Sequence, residues 1–382
     1  MTPQSKLPRV GTTIFTVMSQ LAAEQGAINL GQGFPDFEGP QSLKDALARH
    51  TNSGRNQYAP MTGIPALRQE IARKTEFLYG CAVDAEREVT VTSGATEALF
   101  AAIAAMVRPG EEVIVFDPCY DSYEPAIELQ GATAVRLALQ APEFGLPWDA
   151  LATAITPRTR MILINSPQNP TSAALSMADL DRLADLVEGT DICILSDEVY
   201  EHILFDGRQH ACVVAHPRLR SRSFAVSSFG KTYHITGWKI GYCIAPPALS
   251  DEFRKVHQYL TFSSFHPAQA ALADQLAADR QHYLDLPAFY QAKRDLFAQA
   301  LKDSRFGLLP VAGSYFQLVD YSAISDLPDL EFCRWLTCEH KVAAIPLSPF
   351  CAGGRSPGPF VRLCFAKSDQ TLLEAAERLC RV

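Results

Sequence analysis

The chain has 382 residues, enough for one large or two medium domains at roughly 150 residues each. Apolar residues make up 47% and charged residues 20%, which excludes a disordered chain, since that would be poorer in the first and richer in the second. The net charge of −8 excludes a general nucleic-acid binder, which needs a basic footprint, so no nucleic-acid partner is expected.

Taken in chain order, the N-terminal stretch MTPQSKLPRVGTTIF holds no apolar run of the signal-peptide kind, and no signal peptide is expected. Gly31, Gly33, Pro35, Gly39 and Pro40 mark the first forty residues as an irregular arm. From about 88 to 246, short β-rich runs alternate with helix-period segments. Strands are expected at 88–92, 112–116, 160–165, 191–195, 223–227 and 239–245, with helices at 96–107 and 177–187 among them. Ala98 to Val107 is the longest apolar run; it is about half of a ~20-residue membrane span and predicts a buried helix, with no membrane partner. Near-continuous apolar strands between helices mean an α/β fold, a mostly parallel sheet covered on both faces. Helices follow at 249–259, 267–278 and about 288–302, strands at 315–319, 343–346 and 360–364, and a last helix at 369–379. The expected division is a large domain, 40–280, and a small C-terminal α/β domain, 281–382, to which the arm, 1–39, contributes. The ten cysteines are scattered without a Cys-x-x-Cys pair, which predicts free thiols, no zinc cluster and a cytoplasmic protein.

In parallel sheets the ligand site lies beyond the carboxyl ends of the strands. Here the strands run at once into polar or turn-rich clusters: SGAT, DPCYDSY, NSPQNPTS, SDEVYEH and SSFGKTYH. Two apparent phosphate motifs fail. Gly31-Gln32-Gly33 lacks the third glycine of a dinucleotide fingerprint and meets Pro35 where a helix should start; Gly230-Lys231-Thr232 lacks the earlier glycine of a Walker loop, that position being Ala225. There is no Gly-x-Ser-x-Gly elbow, no His-Glu-x-x-His helix and no ligand spacing among the nine histidines, so no metal is expected. Asp197 ends an apolar strand, where a lone carboxylate is costly unless it meets a cation; taken alone it also fits a helix N-cap. Lys231 lies past the next strand. Lysine condenses with aldehydes, and burial lowers its pKa toward that of a useful base. Gly94, Ala95 and Thr96 open a helix directly after a strand, where free N–H groups suit a phosphate dianion. Ser228 and Lys239 add a hydroxyl and a second cation. A phosphate cradle, an amine for an aldehyde and an acid for a protonated ring nitrogen are the requirements of pyridoxal 5′-phosphate. Asn169 and Tyr200 are candidates to hydrogen-bond the ring's phenolate oxygen, and Tyr120 to stack on its face.

The motifs Asn169-Pro170-Thr171, Ser196-Asp197-Glu198-Val199-Tyr200, Ser227-Ser228-Phe229-Gly230-Lys231 and Gly237-Trp238-Lys239-Ile240-Gly241 occur in that order, followed by Arg362 in Phe360-Val361-Arg362-Leu363. In order and spacing they resemble the class I/II aminotransferases of fold-type I, which use pyridoxal phosphate, and the resemblance covers nearly the whole chain. The runs Leu30-Gly31-Gln32-Gly33-Phe34-Pro35-Asp36-Phe37, Asn56-Gln57-Tyr58-Ala59-Pro60 and Asp117-Pro118-Cys119-Tyr120-Asp121-Ser122-Tyr123 are most similar to those of bacterial methionine aminotransferases and their kynurenine and glutamine transaminase relatives. The resemblance implies a large cofactor-binding domain on a seven-stranded type of sheet, and a homodimer with shared active sites. It implies Lys231 as the catalytic amine, Arg362 at the substrate carboxylate with Gly33 and Asn169 beside it, and Tyr58 reaching the phosphate of a neighbouring subunit. Two positions depart from the family pattern. Ser172 stands where glycine commonly follows Asn-Pro-Thr, and Lys239 replaces the more usual arginine, which keeps the charge but loses the two-pronged grip.

The implied activity is transfer of an α-amino group from a neutral amino acid (methionine first, then aromatic amino acids or glutamine) to a 2-oxo acid. Phe15, Tyr58, Tyr120, Tyr123 and Phe262 lie near the motifs without an obvious second arginine for an acidic side chain. The alternatives are a cysteine-S-conjugate β-lyase or a kynurenine aminotransferase on the same fold, and a non-catalytic amino-acid sensor, which the intact Lys231 disfavours.

Overall fold

The computed structural model describes residues 4–382, so the first three residues of the arm expected at 1–39 lie outside the described residues. The rest of that arm is not irregular throughout. Ile14–Gln25 is an α-helix: the Thr13 hydroxyl accepts from the Thr16 N–H at 3.3 Å, Met18 and Ala22 are buried, and Gly26 closes it in the left-handed region at φ +56°. The glycines and prolines that signalled coil begin only after this helix. A two-residue strand, β1 (Ile28–Asn29), follows it.

Seven strands form the central sheet: β2 (Val89–Thr92), β3 (Glu112–Asp117), β4 (Thr133–Ala138), β5 (Thr159–Asn165), β6 (Cys193–Asp197), β7 (Ser223–Ser228) and β8 (Gly241–Ile244). Their order is β2-β8-β7-β6-β5-β3-β4. Only β8 runs against its neighbours, pairing Tyr242 with Val91 on one side and Cys243 with Val226 on the other. Side chains alternate along each strand. Val113 and Val115 of β3 enter a core with Leu99, Ile103, Phe224 and Phe253, from the helices Ala95–Met106 and Pro247–Leu260 and from β7. Ile114 and Phe116 enter the opposite core, with Ile162, Ile194 and Leu183. Burial on both faces is why these strands read as unbroken apolar runs. The edge strand β4 carries partly exposed side chains and Arg136, so it gave no such run and is an addition to the sequence reading.

Past the large sheet come β9 (Gly307–Leu308), β10 (Phe316–Asp320), β11 (Val342–Ala343), β12 (Ile345–Pro346) and β13 (Phe360–Cys364). Strands β12-β13-β10-β9 make an antiparallel sheet, and β11 pairs in parallel with β1 through Ile28 and Val342. The helix Gln281–Ala300 starts seven residues earlier than the expected 288 and carries Pro287 inside it. Proline normally ends a helix, but here the buried face of Tyr283, Leu286, Tyr290 and Phe297 continues across it. Among the described residues no helix is long and apolar enough to cross a membrane, and all ten cysteines are free.

Candidate active site

Strands β5, β6 and β7 end on Asn165, Asp197 and Ser228, and all three residues face one cavity of about 180 Å³. Gly94, Ala95, Thr96, Tyr120, Asn169, Tyr200, Lys231 and Lys239 complete most of its wall. Ten residues singled out from the sequence therefore share one space. Arg362 and Gly33 join it through hydrogen bonds to Asn169 and Lys231. Tyr58 stands apart: it is 82% exposed, with its ring edge-on to Phe262 at 5.4 Å.

Asp197 is 4% exposed. The Tyr123 hydroxyl donates to its Oδ2 at 2.6 Å and the Val199 N–H to its Oδ1 at 3.3 Å. Burial pushes its carboxyl up to about 6, against the pull of both hydrogen bonds and of Lys231. No cation forms an ion pair with it among the described residues. Asn165 donates to the Asp197 carbonyl at 2.8 Å and accepts the Asn169 N–H at 2.8 Å, which ties the Asn-Pro-Thr turn to the end of β6. Sequence reasoning took Tyr123 only for an aromatic wall and missed Asn165. Both lie in polar clusters after strands, and that position was the available signal.

Lys231 sits in a one-turn helix, Phe229–Thr232, directly after β7. Its Nζ donates to the Gly33 carbonyl at 3.1 Å and to the Tyr315 hydroxyl at 2.9 Å. Burial lowers its pKa to about 8, and the positive charges of Arg362 and Lys239 act in the same direction. Tyr315, on the approach to β10, was not foreseen: its hydroxyl also donates to Gly33 at 2.6 Å, so it fixes both the amine and the loop beneath it. Gly33 takes part through its carbonyl, which accepts from both Lys231 and Tyr315. Tyr200 packs edge-on to Tyr315 at 5.1 Å, and burial raises its hydroxyl pKa well above the ordinary value.

At the start of Ala95–Met106, Gly94 lies at φ +78° and no side chain caps the first N–H groups. Lys239, itself left-handed at φ +55°, places Nζ 3.3 Å from where a Gly94 Cβ would stand. A Cβ on Gly241 would lie 2.9 Å from the Ala95 nitrogen, so only glycine lets β8 close on the helix start. Uncapped N–H groups, the Ser228 hydroxyl and an ammonium together suit a phosphate. With Lys231 and the unpaired Asp197 in the same cavity, the donor set fits pyridoxal phosphate at each of its three functional groups.

Arg362, in the inner strand β13 between β12 and β10, is fully buried. Its Nη1 donates to Asn169 Oδ1 at 2.6 Å and its Nη2 to the Gly31 carbonyl at 2.8 Å, while Nε has no partner. Phe316 lies under the guanidinium at 4.0 Å and Phe15 at 5.2 Å. Among the described residues no carboxylate pairs with it. A buried guanidinium held by neutral acceptors alone is a ready receptor for a carboxylate. Ser172, at φ +64°, hydrogen-bonds to Ser314 Oγ at 2.8 Å and donates to the Phe316 carbonyl at 2.7 Å, so the departure from glycine anchors this turn to β10.

Glu198, His210 and Cys212 bring ligand-type atoms within 4.8 Å of one another. Glu198 already accepts the Val213 N–H at 2.9 Å and pairs with His210 at 2.8 Å, so the cluster is hydrogen-bonded packing.

Residues 25–379 match the model of the family aminotransferase class I and II. The chain is 59% identical over 377 residues to the methionine aminotransferase of Escherichia coli strain K12, covering 99% of this chain and 97% of that one. It is 32% identical to human kynurenine–oxoglutarate transaminase 3, covering 100% and 90%. The crystal structure of YbdL from Escherichia coli, identified as having a methionine aminotransferase function, superposes with a TM-score of 0.97 at 58% identity over the whole of both chains. The chain belongs to the class I and II aminotransferases.

Proposed function

We propose that this aminotransferase holds pyridoxal 5′-phosphate in the strand-end cavity and takes the α-amino group from neutral amino acids, methionine first among them, for delivery to a 2-oxo acid. One observation carries the reading: an unpaired buried acid, a base-range amine and an uncapped helix start with Lys239 beside it all line a single cavity. Bound there, the cofactor supplies an aldehyde and a ring that withdraws negative charge from the substrate's α-carbon. Asp197 keeps that ring cationic, and the ring's charge offsets the burial of the carboxylate. Arg362 takes the substrate's carboxylate and so fixes the α-carbon in place. With its pKa lowered to about 8, Lys231 is partly a free amine near neutral pH, and its Nζ would be the group that takes the substrate's α-proton and gives it back. General acid–base work of this kind supplies about 10² to 10⁴-fold. Tyr315 and the Gly33 carbonyl hold Nζ on station. The preference for methionine is supported by the 59% identity to the Escherichia coli methionine aminotransferase.

A homodimer belongs to the same reading. Tyr58 and Tyr259 are 82% and 87% exposed, Phe262 and Phe265 are also exposed, and His266 bonds the Gln57 carbonyl at 3.0 Å, which joins the two segments into one aromatic patch. A second copy covering this patch would place Tyr58 at its neighbour's cavity. Ten free thiols suit work in the cytoplasm.

The test is a near-visible absorbance band in the purified protein that collapses with borohydride and maps by mass to Lys231, followed by a donor panel of methionine, phenylalanine, glutamine, kynurenine, aspartate and a cysteine S-conjugate. A colourless protein indifferent to added cofactor overturns the reading. Faster turnover of aspartate than of methionine overturns the donor class. Pyruvate and ammonia released from the S-conjugate without an acceptor would reveal a lyase.

A further inference from the structure

A second cavity, of about 570 Å³, opens between residues 10–14, the Tyr120–Asp121–Ser122 stretch and residues 348–351. Tyr120 lines both this cavity and the strand-end one. Phe350, on its wall, also packs against the Arg362 guanidinium at 5.8 Å. An amino acid whose carboxylate rests on Arg362 therefore has this space next to it for its side chain.

Five ionic side chains line the space: Arg9, Asp121, Glu124, Glu128 and Arg136. Four of them are spent on one another or on neighbours. Arg9 pairs with Glu124 at 3.4 Å and with Glu128. Arg136 pairs with Glu124 at 2.7 Å and Asp117 at 2.6 Å, and donates to the Phe350 carbonyl at 2.5 Å. Asp121 is the exception: half-buried, next to Tyr120, with no ion pair and no hydrogen bond to another side chain among the described residues. Burial raises its pKa and the Arg362 charge pulls it back.

We propose that Asp121 is a specificity-determining residue of the substrate's side-chain subsite, a carboxylate without an ion-pair partner that turns away acidic side chains and leaves the subsite to uncharged ones. The proposal rests on the aminotransferase reading and deepens it. Both half-reactions use one subsite, so the acid acts on acceptors as well as donors, and 2-oxo acids with a second carboxylate are disfavoured. Arg136 does not answer a substrate carboxylate, because its charge is already shared between Asp117 and Glu124. Two carboxylates ~6 Å apart at an effective dielectric of ~20 repel by enough for about a hundredfold discrimination, and water in the open cavity reduces this to about tenfold.

The holoenzyme and its Asp121→Asn and Asp121→Ser variants are assayed with methionine and with glutamate against one neutral 2-oxo acid. The glutamate-to-methionine ratio of kcat/KM is expected to rise about tenfold in both variants; an unchanged ratio in both overturns the proposal. Calorimetric binding of glutarate and of pentanoate, neither of which carries an amine, separates the two readings. If the wild type transaminates nothing, the aminotransferase reading falls. A gain of glutarate over pentanoate in the variants still upholds the role of Asp121, and no gain still overturns it.

Discussion

Tyr123→Phe removes one hydrogen bond and leaves the buried ring in place. The bond lost runs from the hydroxyl to Asp197 Oδ2 at 2.6 Å. Hydrogen bonds to charged groups contribute about 1.5–3 kcal/mol, and about 1.4 kcal/mol corresponds to one pH unit in a titration. Burial has already pushed the Asp197 carboxyl up to about 6, and Tyr123 is among the groups pulling it back. Without that pull its titration moves up by about one to two pH units. Only the ionised carboxylate partners a cationic ring, so cofactor affinity is lost as pH falls through the pKa of Asp197. The wild type loses affinity below about pH 6. The variant loses it higher, and near pH 7 binds about two- to tenfold more weakly, with the gap closing in more alkaline solution. Titration of the apoprotein with pyridoxal phosphate, followed by tryptophan fluorescence across this pH range, measures the effect. Ionisations of the free cofactor are common to both proteins and cancel in the ratio of dissociation constants. A ratio that stays flat across pH would refute the assignment of Asp197 as the acid that meets the ring.

Arg362→Lys keeps the charge but loses the fork, so kcat/KM for methionine should fall by about ten- to a hundredfold while the cofactor band persists; an unaltered kcat/KM would remove Arg362 from substrate binding. In the apoprotein Asp197 binds its proton more tightly folded than unfolded, so its contribution to stability is present at low pH and lost as pH rises from about 4 to about 6. The loss is about 3 kcal/mol, and urea melts of apo Asp197→Asn at the two ends of that range should lack it. Lys231 has the opposite sign: its lowered pKa makes apoprotein stability rise with pH above about 8. Ser172→Gly relieves a left-handed serine, worth about 1 kcal/mol, but strands Ser314 and the Phe316 carbonyl, about 1 kcal/mol or more each, so net destabilisation is expected in the same melts.

The strands of the central sheet were legible because they are buried on both faces, and their polar ends pointed to the cavity before any geometry was known. What stayed hidden has physical reasons. Edge strand β4 has one wet face and no apolar run. Ile14–Gln25 precedes the glycines that marked its neighbourhood as coil. Tyr315 reaches Lys231 across 84 residues and Tyr123 reaches Asp197 across 74, and no local pattern encodes such pairings. Asp121 was legible as a residue but not as a carboxylate without an ion pair, because that depends on how Arg9 and Arg136 are shared among Glu124, Glu128 and Asp117.

Burial alone does not mark a charge as functional, and this chain contains its own control. Glu201 and Lys74 are as deeply buried as Asp197, yet they meet at 2.7 Å, and Tyr242, Tyr79 and Ser227 complete the network. Burial works against the Glu201 carboxylate too, but Lys74 holds it well below the usual range. That pair is finished within the fold and asks nothing of a ligand. Asp197 and Arg362 are buried to the same degree and unfinished: one is pushed up to about 6 without a cation, the other is held by neutral acceptors with its Nε bare. The uncapped start of Ala95–Met106 is a third open valence. Each is unfavourable in the empty protein, and the three together call for a ligand pair that brings a ring cation, a phosphate and a carboxylate.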